Sequence, residues 1–111
     1  MRVDVVWWDL TGSAQTIDSL SDDLRDGGTE PWRDVPGLCL KVWLADRQNN
    51  RWGALMLWEP DRPADRPLPA NRAAELIGYP PTHRTRFDAA AMVEGIAQPN
   101  TPISHNRSTH A

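Results

Sequence analysis

The stretch Pro36 to Pro60, PGLCLKVWLADRQNNRWGALMLWEP, decides how the rest of the chain is read. Two apolar runs flank a polar turn, the sequence signature of a β-hairpin. Leu38 to Ala45 is the first predicted strand and Trp52 to Glu59 the second. Three of the six tryptophans lie here, Trp43, Trp52 and Trp58, together with Lys41, the chain's sole lysine. A two-residue type I′ turn at Asn49-Asn50 requires φ > 0 at both positions, which Asn tolerates better than any residue but Gly. That turn sets Gln48 opposite Arg51, Trp43 opposite Met56 and Lys41 opposite Trp58. Side chains alternate along strands. One face then carries Lys41, Trp43, Trp52, Met56 and Trp58, and the other Leu38, Leu40, Val42, Leu44, Leu55 and Leu57. A slip of one residue would mix the faces, and a longer loop over Asp46 to Arg51 also fits the sequence. A sheet apolar on both faces needs cover on both.

At 111 residues the chain has the length of one domain. The net charge is −3 and no basic run occurs, which argues against a nucleic-acid partner. Cys39 is the single cysteine, so neither a disulfide framework nor a cysteine metal cluster is expected. Asp4 and Asp9 interrupt the N-terminal apolar run, which does not read as a signal peptide. No run is long enough for a transmembrane helix. The expectation is a soluble cytoplasmic protein without metal, cofactor or membrane contact.

Working outward, Met1 to Leu10 alternates as a strand that is apolar on both sides. Ser13 is the expected cap of a helix with Ile17, Leu20 and Leu24 on one stripe, stopped by Gly27-Gly28. Thr29 to Val35 connects it to the hairpin and holds Trp32. Pro60 to Pro69 is an irregular proline-rich loop. Asn71 caps a short helix, Arg72 to Ile77, closed by Gly78. Thr85 to Val93 alternates as a strand, although its three alanines also suit a helix. The order is β-α-β-β-α-β, an α+β, ferredoxin-like arrangement with a four-stranded antiparallel sheet. Residues 1–97 form the domain, and 98–111 are expected to be a disordered or extended tail. With both helices on one face, the bare aliphatic face predicts sheet-to-sheet homodimerisation.

Residues of the hairpin resemble the YdhR-like monooxygenases of the dimeric α/β-barrel superfamily. The shared pattern is Pro36-Gly37-Leu38, then Lys41 and Trp43, a turn, and a strand with Gly53 ending in Trp58-Glu59. The segment ANRAAELIGYPPTHRTRFD, Ala70 to Asp88, is similar to members of that group as well. The resemblance implies two sheets packed into an α/β barrel across a homodimer, with a ligand cleft between sheet and helices in each subunit. Its relatives include cofactor-independent oxygenases that convert anthrones to quinones, haem-degrading enzymes, and proteins without demonstrated catalysis.

On this reading the aromatic hairpin face lines the cleft, and Trp43, Trp52, Met56 and Trp58 hold a small aromatic ligand. The alternative is that the indoles are core beneath a helix. Lys41, stacked on Trp58, acts as a base or holds a phenolate, or else extends to the rim. His83, in the loop from Tyr79 to Arg84, is the other candidate catalytic residue, against the plain reading of a solvated loop histidine. The superfamily's haem ligand sits on the second helix, and His83 follows that helix. Tyr79, Arg84 and Arg86 bind an anionic or hydroxylated group at the cleft mouth, or pair with Asp88 or Glu59. A phenolic or anthrone-like substrate, oxygenated without cofactor, is the first expectation. A non-catalytic ligand-binding or stress-related protein is the second, and a haem-binding relative the third. No nucleophile elbow, phosphate loop or carboxylate pair supports a hydrolase, kinase or glycosidase.

Overall fold

The computed structural model describes residues 1–62 and 67–97. The expected tail, 98–111, and part of the proline-rich loop, 63–66, lie outside the described residues. Among the described residues, four strands and two α-helices follow in order: β1 (Arg2–Asp9), α1 (Ile17–Asp23), β2 (Leu38–Asp46), β3 (Arg51–Trp58), α2 (Arg72–Ile77) and β4 (His83–Asp88). The strands form one antiparallel sheet in the order β2-β3-β1-β4. The fold is α+β, with two helices and a four-stranded antiparallel sheet, and is compatible with a ferredoxin-like arrangement.

Both helices pack on one face of the sheet. Val6, Trp8, Trp52 and Ala54 from the strands meet Ile17 and Leu20 of α1 and Ile77 of α2 in one buried cluster. The helix starts reflect local hydrogen bonding. Thr16, rather than the expected Ser13, caps α1: its hydroxyl accepts from Ser19 N while Ser19 Oγ accepts from Thr16 N. The Ser13 hydroxyl is committed elsewhere, donating to the Ile77 carbonyl at 3.0 Å and so tying the α1 approach to the end of α2. The Asn71 side chain caps α2, and Gly78 closes it in a left-handed conformation (φ 103°), both as the sequence predicts.

The hairpin register departs from the type I′ expectation. Asp46, not Gln48, pairs with Arg51, and the connection is the four-residue loop 47–50. The cause is the Asp46 carboxylate. It accepts from Asn49 N at 3.2 Å, Asn49 Nδ2 at 2.9 Å and Arg51 Nη2 at 2.8 Å, closing the loop around itself. Among the described non-glycine residues only Asn50 has positive φ (51°), whereas a type I′ turn needs two such residues. Trp43 therefore faces Ala54, and Lys41 faces Met56. The shift is by an even number of residues, so the two faces keep their membership. Leu38 is the exception. A bulge between Leu38 and Leu40 takes it out of the aliphatic alternation and pairs it with Trp58.

Rows of paired residues run across the sheet. On the helix side they are Arg84–Val6–Ala54–Trp43 and Arg86–Asp4–Met56–Lys41. On the opposite side they are Phe87–Val3–Leu57–Leu40, Thr85–Val5–Leu55–Val42 and His83–Trp7–Gly53–Leu44. That second face remains partly open: Leu40 is 47% and Phe87 52% exposed. Gly53 is required there, because a Cβ would fall 2.5 Å from Val6 O and 2.6 Å from the Trp7 ring.

The last strand is displaced from the expected Thr85 to Val93. It occupies His83–Asp88, since pairing with β1 begins at Trp7–His83 and closes where Ala89 N donates to Met1 O at 2.8 Å. Beyond it the chain has no regular structure through residue 97, and Val93 is exposed.

Candidate functional site

A cleft of about 140 Å³ opens between the helix-side face of the sheet and the segments that cover it. Trp43, Trp52, Ala54 and Met56 line it from the sheet, Leu20 and Leu24 from the first helical segment, and Ala73 and Leu76 from α2. One wall comes from the connector after α1. There the chain leaves the helix through a wide turn, Leu24–Gly28, with Gly27 at φ 105°, and enters a 3₁₀ turn, Glu30–Trp32, with Pro31 in its first positions. This path brings the Trp32 indole back over the sheet.

Lys41 projects between two indoles. Its Nζ lies 3.2 Å from the Trp32 ring centroid and 4.7 Å from that of Trp43. The expected stacking on Trp58 does not occur, because the register places Lys41 opposite Met56 and the bulge separates β2 from that end of β3. Burial pulls the Lys41 ammonium from its ordinary value down to about 7, since a charged amine is poorly solvated there. The indole faces act in the opposite sense, as their quadrupoles attract a cation. No ion pair to Lys41 occurs among the described residues. The group is thus an amine poised near neutrality in an aromatic surround.

Among the described residues, few charged groups reach the cleft. Asp23 and Arg72 line it, but they hold each other: Arg72 Nη2 and Nε donate to Asp23 Oδ1 at 2.9 and 3.2 Å. Arg84 lines it from the edge strand β4 and makes no ion pair among the described residues. Arg86 does not pair with Asp88 or Glu59. It donates to the buried Asp4 at 3.2 Å, and Arg2 approaches the same carboxylate at 3.3 Å.

Trp43, Trp52, Met56, Lys41 and Arg84 thus meet around one cavity, while three other candidates do not. Trp58 shares the face but is covered by guanidinium groups, Arg62 at 4.6 Å and Arg2 at 5.8 Å from its ring centroid. Tyr79 is structural: its hydroxyl donates to the Asp9 carbonyl, and its carbonyl accepts from Trp8 Nε1 at 2.9 Å. His83 is the first residue of β4 rather than a loop residue. It is exposed and pairs with Trp7, on the face opposite Lys41.

Sequence reasoning missed Trp32, Trp8 and the Asp23–Arg72 pair as lining groups. Trp32 lies in an irregular connector, where periodicity assigns no face. The one available signal was its neighbourhood: a large indole between Gly27-Gly28 and Pro36-Gly37 needs a surface to cover. Compared with protein-family models and with curated protein sequences, the chain matches none.

Proposed function

We propose that the cleft binds a small phenolic or anthrone-like aromatic molecule and that the protein is a cofactor-independent monooxygenase acting on it. The carrying observation is the Lys41 amine held between Trp32 and Trp43, with its ammonium lowered to about 7. A fully buried cavity of comparable volume accommodates benzene. One ring of a substrate therefore fits inside about 140 Å³, and further rings project through the open side. The neutral amine takes a proton from the substrate, and the electron-rich carbanion then reacts with dioxygen. One oxygen atom stays as a carbonyl and the other leaves as water. Positioning and a base are the protein's contributions. Arg84 at the edge supplies a cation for a phenolate or carboxylate.

The partly open aliphatic face supports a homodimer formed sheet to sheet. A non-catalytic ligand-binding role is the second reading. It is favoured by the cleft's having one unengaged proton-transfer group among the described residues, because Asp23 is bound to Arg72 and His83 is on the other face.

Aerobic and anaerobic incubation with an anthrone, followed by absorbance, tests the proposal. Oxygen-dependent quinone formation is expected, reduced at least tenfold in Lys41→Met and Trp43→Ala. Quinone at the rate of these variants would overturn the enzymatic reading. Saturable tryptophan quenching without turnover would favour the binding role.

A further inference from the structure

We propose that Lys41 Nζ is a carbonyl-reactive amine that condenses reversibly with aromatic aldehydes seated in the Trp32–Trp43 cleft. This deepens the preceding reading by naming a second substrate class. It rests on the cleft binding an aromatic ring and is independent of oxygenation.

Three observations carry it. Lys41 is the sole lysine of the chain, and its amine faces a cavity sized for a single ring. The indoles of Trp32 and Trp43 flank Nζ, so an aryl group seated in the adjoining space against Trp52 and Met56 holds its substituent beside the nitrogen. Among the described residues, the carboxylate that lines the cleft, Asp23, is held by Arg72, and no ion pair reaches the amine. Depression of the ammonium to about 7 adds that a large fraction of the nitrogen carries a free lone pair at neutral pH.

The step balances without an added oxidant or reductant. The nitrogen lone pair attacks the carbonyl carbon and the π electrons pass to oxygen. A proton moves from nitrogen to that oxygen, giving a carbinolamine. The C–O bond then breaks with loss of water, and the C=N bond of the imine forms. Solvent at the open mouth supplies and removes the protons. Arg84, on the same face, favours aldehydes that also bear a carboxylate.

The test uses benzaldehyde with cyanoborohydride at pH 7, read by intact mass and peptide mapping. Reduction fixes the imine as a benzyl group. The Met1 α-amino group of the 111-residue chain as expressed serves as an internal reference. Labelling of Lys41 is expected at least tenfold faster in the folded chain than in urea, and faster than labelling of Met1. Trp43→Ala should lose that preference, and added phenol should protect Lys41. Labelling of Met1 alone, or equal Lys41 rates folded and unfolded, would overturn the inference. If phenol still quenches tryptophan fluorescence in that event, the aromatic cleft stands and only the carbonyl chemistry fails. If phenol neither quenches nor protects, the cleft reading fails as well.

Discussion

Lys41 Nζ lies 3.2 Å from the centre of the Trp32 ring, although the two residues come from different elements, an edge strand and a 3₁₀ turn. The contact fastens an irregular connector onto the sheet. It also makes the connector responsible for the amine's environment, because Trp32 is what keeps water from that side of Nζ.

Removing Trp32 should therefore return Lys41 toward ordinary behaviour. Lysine labelled with ¹³C at Cε gives one resonance, since the chain has one lysine. In the intact protein its titration midpoint is expected near the value of about 7 that burial produces. In Trp32→Ala the midpoint should rise above about 9, toward the exposed-lysine value. A wild-type signal unchanged up to pH 9 would contradict this assignment.

The same group makes stability depend on pH with a defined sign. Lys41 is depressed in the folded chain to about 7, while the unfolded chain keeps the ordinary value near 10.5. Between those values the unfolded state binds more protons, so this residue's contribution raises stability as pH rises. The benefit is complete above the unfolded value and is lost as pH falls through about 7. Lys41→Met should stabilise the protein at pH 6 by about 1–3 kcal/mol, the scale of burying an uncompensated polar group. Urea titrations of both proteins should converge near pH 10.5.

Gly53 is an intolerant position. A Cβ there meets the Val6 carbonyl at 2.5 Å, and backbone in the middle of a sheet cannot yield as a flexible side chain does. Gly53→Ala should destabilise by about 1–3 kcal/mol, the usual penalty of overpacking. A denaturation midpoint equal to wild type would show that the strands can separate locally.

The bare sheet face yields a test of assembly. Leu40 and Phe87 end one row across all four strands and are about half exposed. Light scattering should give twice the chain mass for the wild type at micromolar concentration. Leu40→Glu should halve it, because a charge is introduced where two apolar faces would meet in the proposed dimer. A monomeric wild type would remove the dimer from the proposal.

The order of elements was legible in the sequence because the hairpin and α2 carry strong local signals. Asn71 and Gly78 bracket α2 with little competition from tertiary contacts. The division of the hairpin into an aromatic and an aliphatic face survived a wrong turn type, since the true register differs by an even step. The bulge at Cys39 was invisible, as nothing in an alternating pattern marks an extra residue. Strand β4 was placed too late because its residues, HRTRFD, are polar apart from Phe87 and all exposed, so apolar alternation drew attention to the alanines beyond. Displacement of His83 to the far face follows from that error. The Trp32–Lys41 contact could not be read because it joins a strand to a segment without periodicity.

The arrangement of Lys41 between its indoles also bears on selectivity. An aromatic pocket of this kind would ordinarily attract any organic cation. Here the protein's own side chain is an internal competitor for the same ring faces. A positively charged guest must displace it and then meet an amine able to take up a proton beside it. A neutral or acidic guest can share the rings with it. On the proposed ligand-binding reading, the chain would thus screen its visitors by charge with a residue that is already in place before they arrive.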